Sequence, residues 1–302
     1  MDSQLFPHGV FMLTLPSQPA VTAALISAIV TISIFIIKGI TGSFWDKYFH
    51  KYKIKIDHEY EQRKKIKEAI SKYKVPLLSS AEDLNHRLWN FSTHCHKGWH
   101  ILGPNESVSE KYYLQSFCYR LLAFLAWCKK FERESIYLDS TLSAKNDLTF
   151  VKYIKTMQNT FSNAFIFNGL NYDSEHATDH FFKDELAILV EHMITTEGVI
   201  TFTDFKKIDK EHYQKMTLYI SSILTSRNCN KWYLMNGFHF ILMAFLSKYG
   251  YDYQKTELKK LKGLRKLQPQ NIIAENFNAI VKQGKLDGCK EMKKAVNVLL
   301  SI

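Results

Sequence analysis

Histidine and cysteine gather at one place in the chain, His94-Cys95-His96, with His86 and His100 a few residues to either side. Imidazole and thiolate suit zinc, but a structural zinc site draws on two separated, short-spaced ligand pairs. No second pair follows here, so His94, Cys95 and His96 are read as loop and helix-end side chains, and neither a metal nor a cofactor is expected. The second candidate chemistry is acidic. Asp184 and Glu191 are seven residues apart, as are Glu185 and His192, so each pair shares one face of a helix and offers two ligands or an acid–base couple. Neither repeats the Glu-x-x-His pattern of di-metal bundles. Glu185, Glu191 and His192 are therefore the residues a carboxylate- or metal-dependent hydrolase would have to use. A third set, Asp83, Arg87, Arg133 and Glu134 together with Glu185 and Glu191, reads as a structural polar network. An arginine on one helix meeting carboxylates on others fixes how a bundle packs. Asp83 and Arg87, four apart, are able to bridge on their own helix. A Gly-rich phosphate loop, a Ser-based elbow and an HExxH pair are all missing, which counts against the common nucleotide-binding and hydrolase chemistries.

The elements that would carry these residues are helices. Six prolines and twelve glycines are few for 302 residues, and the apolar positions recur at three and four, which predicts an all-α body. A charged helix from Ile56 carries Ile56, Tyr60, Ile66, Ile70 and Tyr73 on a narrow stripe and reads as a stalk docked on its own domain. Pro76 is expected to reset it. The next helix puts Leu77, Ala81, Leu84, Leu88 and Phe91 on one face. Ser107 to Glu110 reads as a capping box for a helix through Tyr113, Phe117, Leu121 and Phe124 that persists to Asp139. Further helices are expected over Leu148–Phe161, from His180 to a C-terminal Gly198, and over about 209–225 and 232–249; residues 200–205 fit strand or turn. The 232–249 helix is apolar enough to suggest a second span, yet its length, Asn236 and His239 mark it as the buried centre of the body. Five cysteines without a CxxC pair suit buried thiols in a reducing compartment.

From Tyr73 the residues Tyr73, Pro76, Leu77, Leu78, Ala81, Asp83, Leu84, Arg87, Leu88 and Asn90 follow the order Y-x-x-P-L-L-x-x-A-x-D-L-x-x-R-L-x-N. This resembles the opening of a family of uncharacterised bacterial helical proteins. The resemblance continues through Tyr119, Phe124, Trp127, Arg133, Glu134, Leu138 and Asp139. It returns at Lys183-Asp184-Glu185 and Glu191-His192-Met193, where the family shows R-G-E-Q-R-A-I-G-E-L-M. It covers about residues 73–194 and implies a helical fold and a bacterial origin, with no activity attached. Leu186, Ala187 and Val190 stand where the pattern has Gln, Arg and Gly, so the polar positions that chemistry on this helix would need are lost.

The rest of the chain hangs from Ala20 to Ile37, eighteen residues without a charge, broken only by Thr22, Ser27, Thr31 and Ser33. At about 1.5 Å per residue this run, extended to Ile40, is long enough to cross a bilayer core of about 30 Å. A secretory signal wants a basic leader and a cleavage site, and no Lys or Arg precedes the run. After it come Lys38, Lys47, Lys51, Lys53 and Lys55 interleaved with Phe44, Trp45, Tyr48, Phe49 and Tyr52, the composition of an interfacial belt against anionic headgroups. That asymmetry predicts a short N-terminus outside and the body inside, and with the bacterial origin that the resemblance implies the expected location is a bacterial inner membrane with the body cytoplasmic. The expected organisation is an extracytoplasmic N-terminus over 1–19, a transmembrane helix over 20–40, a basic stalk over 41–75, a helical body over 76–250 and a basic tail over 251–302. Of the net charge of +11, a surplus of six lies in 38–74 and six in 252–302, so the middle is close to neutral. In the tail, Lys259, Lys260, Lys262, Arg265 and Lys266 alternate with leucines as on an amphipathic helix. Contact with membrane or phosphate backbone is the sharper alternative, but no nucleic-acid fold motif accompanies the charge. The sequence thus reads as a membrane-anchored scaffold, interaction or regulatory protein with a protein partner or a second copy. A tethered sensor or effector of anti-phage defence, and the hydrolase above, are its alternatives.

Overall fold

The computed structural model describes residues 19–135, 144–170, 172–267 and 273–301. Among them every regular element is helical, apart from one isolated antiparallel bridge between Ile194 and Val199. The helices are α1 (Pro19–His94), α2 (Tyr112–Ser135), α3 (Lys145–Thr160), α4 (Lys183–Glu191) and α5 (Phe202–Phe205), then α6 (Gln214–Ser221), α7 (Asn230–Tyr249), α8 (Leu258–Lys266), α9 (Ile273–Gln283) and α10 (Lys290–Leu300). The chain divides into two units, Met1–Glu61 and Gln62–Ile302.

In the first unit the apolar run is helical and unburied. Residues Pro19–Gly39 form a stretch long and apolar enough to cross a membrane, and none of it is buried. Ile26 is 63% and Phe35 79% exposed. Its threonine hydroxyls are turned back on the helix: Thr22 donates to the Pro19 carbonyl at 2.9 Å and Thr31 to that of Ser27 at 2.7 Å. Thr41 does the same to Ile37 at 2.5 Å, so these side chains spend their polarity on the backbone. Beyond the run, Trp45 stacks on Phe49 and Tyr48 on Tyr52 at four-residue spacing, with ring centroids 5.6 and 6.4 Å apart.

The second unit is built around α7. Sixteen of its twenty residues are buried, so it is apolar on all sides, as a central helix must be. It packs against α10, α3 and α9, while α2 packs against α3, α4 and α6. Gly237 brings α9 close: a Cβ there would sit 2.7 Å from the Phe277 ring. The two polar residues that argued against a second span do face the interior, where they meet α1. Asn236 lies 3.5 Å from the Ser92 hydroxyl and His239 Nε2 lies 3.0 Å from Asn85 Oδ1.

Several expected boundaries move. Pro76 does not interrupt the chain, because α1 runs through it. Tyr73, Leu77, Leu78, Ala81 and Leu84 are all buried around it, and that packing offsets the roughly 3 kcal/mol an interior proline costs. Ser107 makes no capping bond; its hydroxyl pairs with that of Ser109, Val108–Glu110 forms one 3-10 turn, and α2 starts at Tyr112. The expected extension of α2 beyond Ser135 lies outside the described residues, as do residues 1–18. Helix α4 ends at Glu191 rather than near Gly198. The β-branched Thr195-Thr196 pair favours leaving the helix, and the chain folds back with Ile200 N–H donating to the Met193 carbonyl at 3.0 Å. Residues 202–205, ambiguous in sequence, are a single helical turn capped by the Thr201 hydroxyl, which accepts from Asp204 N–H at 3.2 Å. The stalk stripe docks from Ile66 onward: Ile66 and Tyr73 are buried, whereas Ile56 and Tyr60 are exposed.

Candidate functional site

The six residues read as one polar network separate into independent contacts. Arg87 and Asp83 share α1 at four-residue spacing, yet they do not pair. Arg87 is 8% exposed, lies 4.2 Å above the Tyr113 ring and donates from Nη2 to the Ser116 hydroxyl at 2.9 Å. Among the described residues no carboxylate reaches it. Burial lowers its pKa and raises that of Tyr113. The reason Asp83 loses the arginine is across the interface, where α2 offers an aromatic face and a hydroxyl but no acid. Arg133 instead holds Glu191 with both terminal guanidinium nitrogens, Nη1 at 3.0 Å, on a half-exposed surface. Glu134 accepts from Lys72 Nζ at 3.0 Å and from the Tyr73 hydroxyl at 3.2 Å, tying α2 to α1. The hydrogen bond from Lys72 holds the Glu134 carboxyl below its ordinary range, and that from Arg133 does the same for Glu191.

Among the described residues the three that a hydrolase would need are each engaged by a different partner. Glu185 is ion-paired with Lys215 of α6, Glu191 with Arg133, and His192 stacks on His212 with ring centroids 4.1 Å apart. The face of α4 that does line a cavity, about 260 Å³ in volume, carries Lys183, Leu186, Ala187 and Val190. Leu186, Ala187 and Val190 thus stand on the cavity wall itself.

The histidine and cysteine cluster disperses in the same way. His94 Nδ1 lies 3.1 Å from the Asn90 carbonyl and its ring stacks on Trp99, Cys95 is buried with Sγ 3.6 Å from the Leu224 carbonyl, and His96 is exposed. Burial pushes the Cys95 thiol up to about 11, away from the thiolate a metal would require. His86 leans toward Glu82, 3.7 Å away, and His100 is buried 2.8 Å from the Ile223 carbonyl. Among the described residues no three His, Cys, Asp or Glu side chains are arranged to hold a metal ion.

The two basic segments keep their lysines in solvent. Lys38, Trp45, Lys47, Lys51, Lys53 and Lys55 are all exposed on α1. On α8, Leu261 and Leu264 are buried while Lys259, Lys260, Lys262 and Lys266 are exposed and Arg265 is half-buried, the amphipathic arrangement read from the leucine spacing. Sequence spacing missed the partners these contacts depend on. Tyr113, Ser116 and His212 are examples. So is Cys289, whose Sγ lies 3.2 Å from the buried Tyr153 hydroxyl and 3.1 Å from Glu291 Oε2. The cysteine–glutamate pair is two residues apart and visible locally; the tyrosine comes from α3, 136 residues earlier. Comparison with protein-family models, with curated proteins and with solved structures finds no match for this chain.

Proposed function

We propose that this is a membrane-anchored helical protein that acts through contacts rather than catalysis, with residues 20–40 in the bilayer of a bacterial inner membrane and the body in the cytoplasm. One observation carries the anchor. Along Pro19–Gly39 the side chains of Val21, Leu25, Ile29, Ile32, Phe35 and Ile36 are all exposed, and a soluble protein does not leave so continuous an apolar face in water. A core helix of the same composition would be buried, as α7 is. The exposed lysines Lys38, Lys47, Lys51, Lys53 and Lys55 and aromatics Trp45, Tyr48, Phe49 and Tyr52 support a headgroup boundary there and an inward-facing body. The bacterial origin rests on the sequence resemblance. On the body, Glu185 and Glu191 are each engaged by a cation, which favours a scaffold or regulatory role with a protein partner, or a second copy, over hydrolysis.

The test is a pair of topology reporters fused after Ile302, one active only in the cytoplasm and one only outside it, with flotation of the full-length chain on a lipid gradient. Cytoplasmic signal and flotation are expected; an extracytoplasmic signal reverses the orientation, and a chain that stays at the bottom of the gradient removes the anchor.

A further inference from the structure

Three lysines line one cavity in the second unit without a carboxylate among them. The cavity, about 270 Å³, lies between α3 and the end of α9 and is bounded by Lys152, Lys155, Thr156, Asn159, Gly284 and Lys285 among others. Its remaining polar lining is amide and hydroxyl. Among the described residues none of the three lysines has a carboxylate within ion-pair distance, a state they share with most lysines of the unit; Lys72, Lys111, Lys129, Lys207 and Lys215 are among the paired minority. Thr156 is 5% exposed, and its hydroxyl oxygen is buried without a hydrogen-bond partner. Leaving such a group unpaired costs about 1–3 kcal/mol.

The way α9 ends adds a second, independent sign. Lys285 N–H donates to the Lys282 carbonyl at 2.9 Å and Leu286 N–H to that of Val281 at 3.1 Å, which closes the helix and leaves Lys285 left-handed at φ 51°. Glycine is the residue favoured there, and any other pays about 1 kcal/mol. Gly284, one position earlier, is the residue that lets the turn lie against Thr156, since a Cβ there would come within 2.3 Å of the Thr156 hydroxyl. The chain therefore spends its glycine on the approach to α3 and carries a lysine at the strained position on the cavity wall. A second cavity of about 260 Å³ shares Lys155 and Asn159 with the first. Its one carboxylate, Glu132, is already paired with Lys129 at 3.0 Å.

We infer that the Lys152–Lys155–Lys285 cavity binds the phosphate groups of a small polyanionic ligand, with Asn159 as a neutral partner. Lysine is a point-charge phosphate binder, and three of them without internal neutralisation favour a ligand with more than one phosphate charge. The adjoining cavity gives room for the rest of the molecule. This goes beyond the anchoring proposed above and holds whether or not that is right.

Calorimetric titration of the full-length protein in detergent with tripolyphosphate, at fixed ionic strength, tests it. One saturable site per chain is expected. Each of Lys152→Gln, Lys155→Gln and Lys285→Gln should weaken it about tenfold, the ratio equivalent to one charge-assisted hydrogen bond. The control Lys259→Gln/Lys260→Gln/Lys262→Gln, which removes three charges from α8 where each test variant removes one, should leave affinity within about twofold, as expected for distant screened charges. Thermal midpoints establish that every variant is folded. Titration with dihexanoyl phosphatidic acid separates the sources of the phosphate: tighter binding than tripolyphosphate, lost in the same three variants, assigns a lipid headgroup, and the reverse order assigns a soluble metabolite. No saturable binding of either probe, or equal loss in the α8 control, overturns the site.

Discussion

Arg87 is held by a ring and a hydroxyl, without an acid, so its contribution is packing and cation–π attraction more than ion pairing. Arg87→Ala should cost about 2–3 kcal/mol, because it opens a hole beside Tyr113 and strands the Ser116 hydroxyl. Arg87→Met, which keeps the volume and removes a buried charge, should cost about 1 kcal/mol or less. Urea denaturation of both variants checks this, and equal damage from the two would mean that the charge itself is neutralised by a group not seen beside it. Arg133→Ala breaks a pair whose two side chains are about half exposed, so the loss should stay under about 1 kcal/mol despite the good geometry. The four-residue spacing of Asp83 and Arg87 was legible in the sequence. Their failure to pair was not, since a long side chain on a helix chooses among partners that only the facing helix supplies.

Between elements, the α1–α7 contact places a pH limit on stability. His239 is completely buried, and burial lowers its pKa from 6.5 to about 3. Folded, the ring stays neutral; unfolded, it takes up a proton below about pH 6.5. The unfolded chain therefore binds more protons between these two values, and stability falls as the pH drops through that window. His100, lowered in the same direction by burial, adds to the slope. Thermal melts of the wild type and of His239→Gln between pH 7.5 and 4 should show a shallower fall in the variant, whose amide still reaches Asn85; parallel curves would exclude His239 as a source. The helix contacts also decide what glycine does. Gly237→Ala in α7 drives a methyl against Phe277 and should destabilise by about 1–3 kcal/mol, whereas Gly263→Ala in α8, with nothing within 4 Å, should stabilise by up to about 1 kcal/mol. Both are glycines inside helical patterns and look alike in sequence. Pro76 shows the same limit from the other side, since a residue that normally ends a helix is carried through by the burial of its neighbours.

For the molecule as a whole, the second unit has its own core and leaves the apolar stretch to the first. Deleting residues 1–40 should release a helical chain that needs no detergent, checked by gel filtration and circular dichroism; aggregation of the truncated chain would point to a second lipid-contacting surface. What the sequence determined by itself is what depends on local composition and period: the helical class, the unburied apolar stretch ahead of a lysine and aromatic collar, the amphipathic face of α8 and the interior position of α7. These follow from rise per residue, side-chain hydropathy and the 3.6-residue repeat, which act within one element. Only the tertiary structure decided which polar groups meet. It gave Arg87 to Tyr113, Glu185 to Lys215 and Glu191 to Arg133, and it brought Lys285 to Lys152 and Lys155 across about 130 residues of chain. Charge and hydrogen-bond partners at that sequence separation are set by how helices pack, and helix packing leaves no periodic trace in the sequence of either partner.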